Sequence, residues 1–225
     1  MIGALNSSHI LYLLHGALWT IGLSLIAFLG GGAFGLVVAL CRISPIRLVR
    51  VLTASYVQLI QGTPLLVILF MTFFGLPALG LNIAPLTAAA VSLTAFVAAY
   101  LGEIWRGCIE SVARPQWEAA ECLALTKIQR MRLVILPQAI RIATPPTVGF
   151  MVQIIKNTSL ASVVGMLELT RSGQIINNSV FEPFLVYSII AAVYFSMCYP
   201  ISRWSQRLER QRSAVVLQSV PSSLT

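Results

Sequence analysis

Residues 114–137 read RPQWEAAECLALTKIQRMRLVILP and separate two apolar stretches of the chain. This segment is too polar to cross a membrane and too regularly patterned to be a simple linker. Pro115 and Gln116 predict a turn, after which Glu118 opens a helix. An acidic residue in the first turn of a helix is favourable because the helix dipole is positive there. The segment therefore predicts structure outside the membrane.

The second half of this segment predicts another helix, over Lys127–Ile135. Its apolar residues recur with helical spacing, and its basic residues fall on the opposite face. Leu136-Pro137 is predicted to end the helix, because proline disfavours helical geometry in the residue before it. We therefore expect two short helices between two membrane spans.

The composition of the whole chain excludes a soluble domain. The 225 residues are 57% hydrophobic and only 10% charged, with a mean hydropathy of +0.86, whereas soluble proteins are roughly one quarter charged. The chain has no aspartate for a Ser-His-Asp triad, and neither Lys127 nor Lys156 follows a glycine as a phosphate-binding loop requires. His9, His15 and the four cysteines lack metal-ligand spacing. We expect no catalytic residue, metal or cofactor, and no ATP hydrolysis by this chain.

Five apolar runs approach or exceed the roughly 20 residues that a membrane span needs. They are Leu13–Leu40, Val51–Leu79, Leu86–Ile104, Ile142–Leu167 and Phe184–Ile201. Nothing basic precedes Arg42, so the first run lacks the leader of a cleaved signal peptide and is expected to remain. The prediction is an all-α membrane protein with five transmembrane helices, formed by residues 1–212, followed by a poorly ordered tail, 213–225.

The basic residues fix a predicted orientation. Of the 15 Lys and Arg residues, all but Lys156 and Arg171 follow the first, third or fifth run. The positive-inside rule places these connections in the cytoplasm, the N-terminus in the periplasm and the C-terminus in the cytoplasm. A net charge of +8 would also suit a nucleic-acid-binding protein, but these residues flank apolar runs instead of forming a polar face. The expected partner is the lipid bilayer, not nucleic acid.

The first span contains Gly31 and Gly35, spaced so that a second helix can approach closely; a hinge is the alternative. The second span is interrupted near Gln61, since Thr63 suits the N-cap and Pro64 the first position of a new helix. Either the helix breaks within the membrane and offers polar backbone groups to a solute, or residues 51–61 form a cytoplasmic elbow helix.

Lys156 is the basic residue that the fourth span carries within the membrane. It lies 14 residues after Ile142, a rise of roughly 21 Å, about two thirds of the way across a core of about 30 Å. A lysine at that depth is costly unless it faces protein, water or an anion, so it is a candidate for binding a carboxylate. The neighbouring candidates for the solute path are Asn157, Thr158, Ser159 and Glu168, the last to meet a cation near the outer mouth. Alternatively, Lys156 reaches outward or pairs with Glu168 as a gate.

Several segments together resemble a known family. Glu118-Ala119-Ala120, Ala124 and Val134-x-Leu136-Pro137 have the spacing of the EAA loop in membrane subunits of bacterial ABC importers. Residues 61–66, 98–107, 156–162 and 199–203 are similar to the polar amino-acid permease family of the histidine, glutamine and glutamate type. The match covers nearly everything from Thr20 to Arg212 and implies the type I ABC importer permease fold.

The resemblance also implies a role for the loop, about residues 105–141. It would form a coupling helix that docks on a cytoplasmic ATPase through Glu118, Ala119 and Ala120. The family normally has glycine where this chain has Ala124, at the turn between the two short helices. Either this turn takes an ordinary conformation, or coupling tolerates a strain of about 1 kcal/mol.

The implied function is a permease subunit that imports polar or charged amino acids, or related compounds such as opines, across the bacterial inner membrane. Its partners would be an ATPase dimer that binds the ATP, a periplasmic amino-acid-binding protein, and a second permease that is the same chain or a paralogue. One alternative is a secondary carrier or channel driven by an ion gradient, which should carry buried acids; the chain has none between Leu13 and Gly102. Another is an inactive membrane anchor, which would not need Lys156.

Overall fold

The computed structural model describes residues 6–218, with side chains to Gln211, and within this range the chain is helical with no β-strand. We number the helices in chain order. They are α1 (Ser7–Arg42), α2 (Arg47–Gly62), α3 (Leu65–Ala78), α4 (Pro85–Glu110), α5 (Arg114–Cys122), α6 (Lys127–Val164), α7 (Leu169–Val180) and α8 (Pro183–Gln218).

Four of these helices, α1, α4, α6 and α8, are each long and apolar enough to cross a membrane. Helices α2 and α3 together qualify as a fifth span, but they are bent by 104°. The predicted all-α membrane fold is therefore confirmed, and the run Val51–Leu79 is a bent pair of helices, in agreement with the interruption predicted near Gln61. Because α8 continues to Gln218, the beginning of the predicted tail is helical, and residues 219–225 lie outside the described range.

Helices α1 and α4 lie side by side and run in the same direction along a seam of glycines. A Cβ atom added to Gly31 would lie 2.4 Å from the Val97 side chain, and one added to Gly102 would lie 2.6 Å from the Val38 side chain. Gly35 also lies close to α4, with the carbonyl oxygen of Ala98 3.2 Å from such a Cβ. The predicted packing role of the Gly31 and Gly35 pair is confirmed.

The main core lies between α1, the α2–α3 pair, α4 and α6. The rings of Phe96, Tyr100 and Phe150 pack together, with centroids 4.4 to 6.5 Å apart. Helix α6 runs opposite to α4, as two contacts show. Trp105 Nε1, late in α4, donates to Thr147 Oγ1, in the middle of α6, at 2.9 Å, and residues early in α4 lie beside residues near the end of α6.

A second core joins the first half of α1 to α7 and α8, around Leu13, Leu169 and Val186. Further along, α8 packs on α6, where Ser205 Oγ donates to the carbonyl of Pro145 at 3.0 Å. Helices α1, α4 and α8 therefore run one way and α6 the other. We call the end of the bundle that carries Arg42, Glu110 and α5 the basic end.

Helix α6 contradicts the prediction that Leu136-Pro137 ends a helix. The segment is α-helical over Lys127–Gln129, π-helical over Arg130–Ile135 and α-helical again over Leu136–Asn157. The wider π turn accommodates the proline, whose ring clashes in an α-helix with the carbonyl four residues earlier. Burial of Ile135 and Ala139 against the end of α4 stabilises the continuous helix.

Candidate coupling helix and solute path

Helix α5 projects from the basic end, three residues after α4. The predicted turn at Pro115 and Gln116 is wrong, because the helix already begins at Arg114. Pro115 lies in the first turn of the helix, where a backbone N–H has no partner within the helix, so the missing N–H of proline costs no hydrogen bond. Glu118 consequently lies beyond the first turn. Trp117 anchors α5 to the connection that follows α4, because its Nε1 donates to the carbonyl of Val112 at 3.2 Å, and its ring packs on the cluster that includes Ile109 of α4.

The side chains predicted to contact an ATPase do not all share one face of α5. Glu118 and Ala119 are exposed, whereas Ala120 is 1% exposed and points into the protein. Glu121 forms an ion pair with Arg130 at the start of α6, but Glu118 has no hydrogen-bond or ion-pair partner among the described residues. The structure therefore leaves Glu118 and Ala119 available to a partner protein and uses Ala120 for internal packing.

The turn after α5 is a Schellman motif. The N–H of Ala124 donates to the carbonyl of Glu121 at 2.8 Å, and the N–H of Leu125 donates to that of Ala120 at 3.2 Å. Ala124 has a φ of 53°, in the left-handed region, and glycines occupy the equivalent position of two other turns, Gly80 and Gly165. Of the two predicted alternatives, the strained turn is correct and the ordinary conformation is wrong.

A row of charged side chains at the basic end was not predicted as part of any site. Arg42 Nε lies 3.3 Å from Glu103 Oε2, and Arg106 forms ion pairs with both Glu103 and Glu110. The spacing of Glu103, Arg106 and Glu110 by three and four residues is a signal for pairing on a helix. No local signal indicates Arg42, which comes from another helix.

Lys156 lies near the end of α6 and is exposed on the surface of the single chain. Gln153, one turn earlier, is also exposed, and its Nε2 donates to Oδ1 of the half-buried Asn157 at 3.1 Å. These three residues form what we call the polar stripe of α6. Gln153 was not predicted as part of the site, although its spacing to Lys156 and Asn157 places it on the same helical face.

The hydroxyl groups of Thr158 and Ser159 are already engaged. At this point α6 passes into a 3-10 segment, Thr158–Val164, so the α-helical geometry of the fourth span ends at Asn157. Thr158 is buried and donates to the carbonyl of Ile155, and Ser159 donates to that of Lys156, both at 2.7 Å. The hydroxyl protons of both residues are therefore bonded to the backbone of α6 itself.

Glu168 does not stand open at a mouth of the protein. It is 0% exposed and caps α7, where its carboxylate accepts bonds from the N–H groups of Thr170 and Arg171 at 2.9 and 2.7 Å. The hydroxyl of Tyr194 donates to it at 2.9 Å, and that of Thr20 lies 3.5 Å away. The expectation that Glu168 meets a cation near the outer mouth is thus corrected: it joins α1, α7 and α8.

The break between α2 and α3 lies part of the way along α4. Thr63 is not the predicted N-cap, because its hydroxyl donates to the carbonyl of Leu59 at 2.8 Å. Leu65 packs near Leu93, eight residues into α4, or about 12 Å from its start. This depth favours a break inside the span over an elbow at its end.

The same break approaches the polar stripe. Leu65 and Asn157 line one small cavity of about 10 Å³, room for a single water molecule. Gln61 is exposed on the α2 side of the break. Among residues 6–211, no group of three or more metal-ligating side chains comes together.

Comparisons with known proteins agree with this architecture. Residues 31–214 match the family described as binding-protein-dependent transport system inner membrane component. The probable amino-acid ABC transporter permease protein YckA of Bacillus subtilis is 36% identical over 200 residues, which cover 89% of this chain and 88% of the relative. The L-cystine transport system permease protein TcyB of the same organism is 38% identical over 197 residues, 87% of this chain and 84% of the relative.

Solved structures show the same fold. The crystal structure of an amino acid ABC transporter with histidines superposes with a TM-score of 0.87 at 35% identity, over 91% of this chain and 95% of that chain. An inward-facing MetNI methionine ABC transporter superposes with a TM-score of 0.75 at 19% identity, over 92% of this chain and 99% of that chain. The chain therefore belongs to the family of binding-protein-dependent transport system inner membrane components, and it is the membrane-spanning permease subunit of an ABC importer in the bacterial inner membrane.

Proposed function

We propose that this permease carries polar or charged amino acids, or related compounds such as opines, into the cell. Similar permeases are described as transporting amino acids, glutamine and L-cystine. The observation that carries the proposal is the polar stripe of α6, an ammonium group and two amides on the exposed face of a membrane span. The Lys156 ammonium would bind the carboxylate of the solute, and amide oxygens would accept from its α-amino group.

The exposure of the polar stripe also supports a second permease subunit. A lysine that faces acyl chains near the bilayer centre costs about 3 kcal/mol or more, so Lys156 is expected to face protein or water. Beside it lies an apolar cleft of about 240 Å³ between α1, α6 and α8, lined in part by Phe28, Met151 and Met197. A second copy of the chain, or a paralogue, would cover this surface and leave a polar path between the two subunits.

The remaining partners follow from the two ends of the bundle. The basic end would face the cytoplasm by the positive-inside rule, with the start of α1 in the periplasm. An ATPase dimer would bind and hydrolyse ATP and dock on α5 through Glu118 and Ala119, which are exposed. A periplasmic amino-acid-binding protein would deliver the solute at the opposite end.

The contacts of α5 suggest how ATP drives transport. Trp117 packs on the cluster that includes Ile109 near the end of α4, and the ion pair of Glu121 with Arg130 connects α5 to the start of α6. When the ATPase dimer closes on ATP, displacement of α5 would tilt both spans. Since α6 carries Lys156 about 39 Å beyond Arg130, the tilt would expose the polar stripe to the periplasm; hydrolysis would reset it.

The proposal is tested by replacing Lys156 with methionine in the transporter reconstituted with its ATPase and binding protein. A charge-assisted bond contributes about 1.5–3 kcal/mol, so the apparent affinity for the solute should fall about 10-fold or more. Lys127→Met is the matched control, because Lys127 is exposed at the other end of α6 and should leave the affinity unchanged. An unchanged affinity in the Lys156→Met transporter would remove Lys156 from the solute site.

A further inference from the structure

An ion pair joins the end of α1 to α4 at Glu103, about two turns before α4 ends and leads toward the coupling helix. Arg42 is the last residue of α1, and its Nε lies 3.3 Å from Glu103 Oε2. Arg106 pairs with Glu103 along α4, and Glu110 pairs with Arg106 at the outer edge. Glu103 is thus the carboxylate in this row that contacts both helices.

The exposed fractions of these side chains separate an inner pair from an outer one. Arg42, Glu103 and Arg106 are 19%, 26% and 22% exposed, whereas Glu110 is 57% exposed. Water therefore screens the Glu110 contact far more than the contact between Arg42 and Glu103. The inner contact is the one able to hold the two helices in register.

The ion pair lies where the glycine seam of α1 and α4 finishes. Gly102 packs on Val38, and the ion pair follows directly, one residue further along α4 and four residues further along α1. A half-buried ion pair is weak evidence for stability, because desolvation of the two charges offsets their attraction. Its distinct property is geometric: it fixes the position of α1 relative to the helix that leads into α5.

Helix α1 links this point to the opposite end of the molecule. Thr20 lies 22 residues before Arg42, about 33 Å away. Its hydroxyl accepts from the N–H of Leu169 at 3.1 Å and approaches the buried Glu168, so α1 also contacts the start of α7. A displacement of α1 at the basic end would therefore reach α7 and α8.

We propose that Glu103 is a positioning residue that makes α1 move together with α4 when α5 is displaced, so that the ATP-driven movement reaches the opposite end through α1 as well as through α6. The proposal rests on the docking of the ATPase at α5. Without the negative charge, Arg42 loses its counter-charge and α4 moves with less effect on α1.

The test compares Glu103→Gln with Glu110→Gln, the same change on the same helix at a residue whose ion pair is with Arg106 of α4. Both are reconstituted in proteoliposomes with the ATPase and binding protein, and the number of ATP molecules hydrolysed per solute is measured for each assembled complex. We expect Glu103→Gln to raise this ratio about 5-fold or more. A 5-fold change is the lower end of the fold-changes that typical coupling free energies produce. Glu110→Gln should stay within about 2-fold of the native ratio.

Arg42→Met provides a second route, because it removes the α1 partner and leaves Glu103 paired with Arg106. It should raise the ratio as much as Glu103→Gln, and the double variant should be no worse than either single one. A native ratio in assembled Glu103→Gln or Arg42→Met complexes, whatever their yield, overturns the proposal. ATPase subunits that co-purify normally with these variants, but not with Glu118→Lys, show that docking at α5 holds independently of the Glu103 result.

Discussion

Replacing Ala124 with glycine is expected to stabilise the turn after the coupling helix. A φ of 53° costs a residue with a side chain about 1–2 kcal/mol. Glycine removes this cost, but it also stabilises the unfolded chain by about 0.4–1 kcal/mol, because the unfolded chain gains conformational freedom. Ala124 is exposed, so little packing is lost with its methyl group. The net gain is about 0.8 kcal/mol, a factor of about four in the equilibrium for closing the turn.

Hydrogen exchange at the Leu125 amide measures this equilibrium, because that N–H donates to the carbonyl of Ala120 within the motif. Exchange should be about four times slower in Ala124→Gly, and solute uptake should be kept or improved. Leu123→Gly is the matched control: its φ of −80° carries no strain, so glycine should speed exchange. Equal or faster exchange in Ala124→Gly, or a clear loss of uptake at normal expression, would refute the strain argument.

Two further predictions concern helix packing, and thermal unfolding of the purified transporter measures both. Gly31→Ala puts a methyl group 2.4 Å from the Val97 side chain and should destabilise by about 1–3 kcal/mol, whereas Gly22→Ala meets open space and should be neutral or stabilising. Tyr194→Phe removes the hydroxyl that donates to the buried Glu168 and should destabilise by about 1–3 kcal/mol; an unchanged transition would show that this bond contributes little.

The positions of the spans along the chain could be predicted because hydropathy and length are local properties of the chain. The bend of 104° between α2 and α3 could not, since a hydropathy sum does not report direction. Pro64 marked the place of the break, but its depth is set by the packing of Leu65 near Leu93 of another helix. Local signals thus located the feature, and tertiary packing decided its geometry.

The continuity of α6 shows a local rule overridden by burial. Leu136-Pro137 favours a helix end, yet a π segment absorbs the proline and keeps Ile135 and Ala139 buried against α4. Glu118 and Ala119 were identified through the family resemblance, and the structure added that they are exposed while Ala120 is not.

The environment of Glu168 was beyond sequence reasoning for a different reason. Its partners Thr20 and Tyr194 lie 148 and 26 residues away, so no periodic pattern brings them together. The negative charge of the side chain alone suggested that it faces a cation. The fold instead supplies enough hydrogen-bond donors for the carboxylate to be buried as a helix cap. The pair of Arg42 and Glu103 was missed likewise, since 61 residues separate them.

The proposed mechanism requires that a separate ATPase, docked at α5, drives this permease. ATP hydrolysis in proteoliposomes that contain the permease, its ATPase and its binding protein tests this claim directly. We predict that solute-loaded binding protein stimulates hydrolysis and that the stimulation disappears in Glu118→Lys. Solute uptake by the permease in the absence of any ATPase would contradict the proposed mechanism.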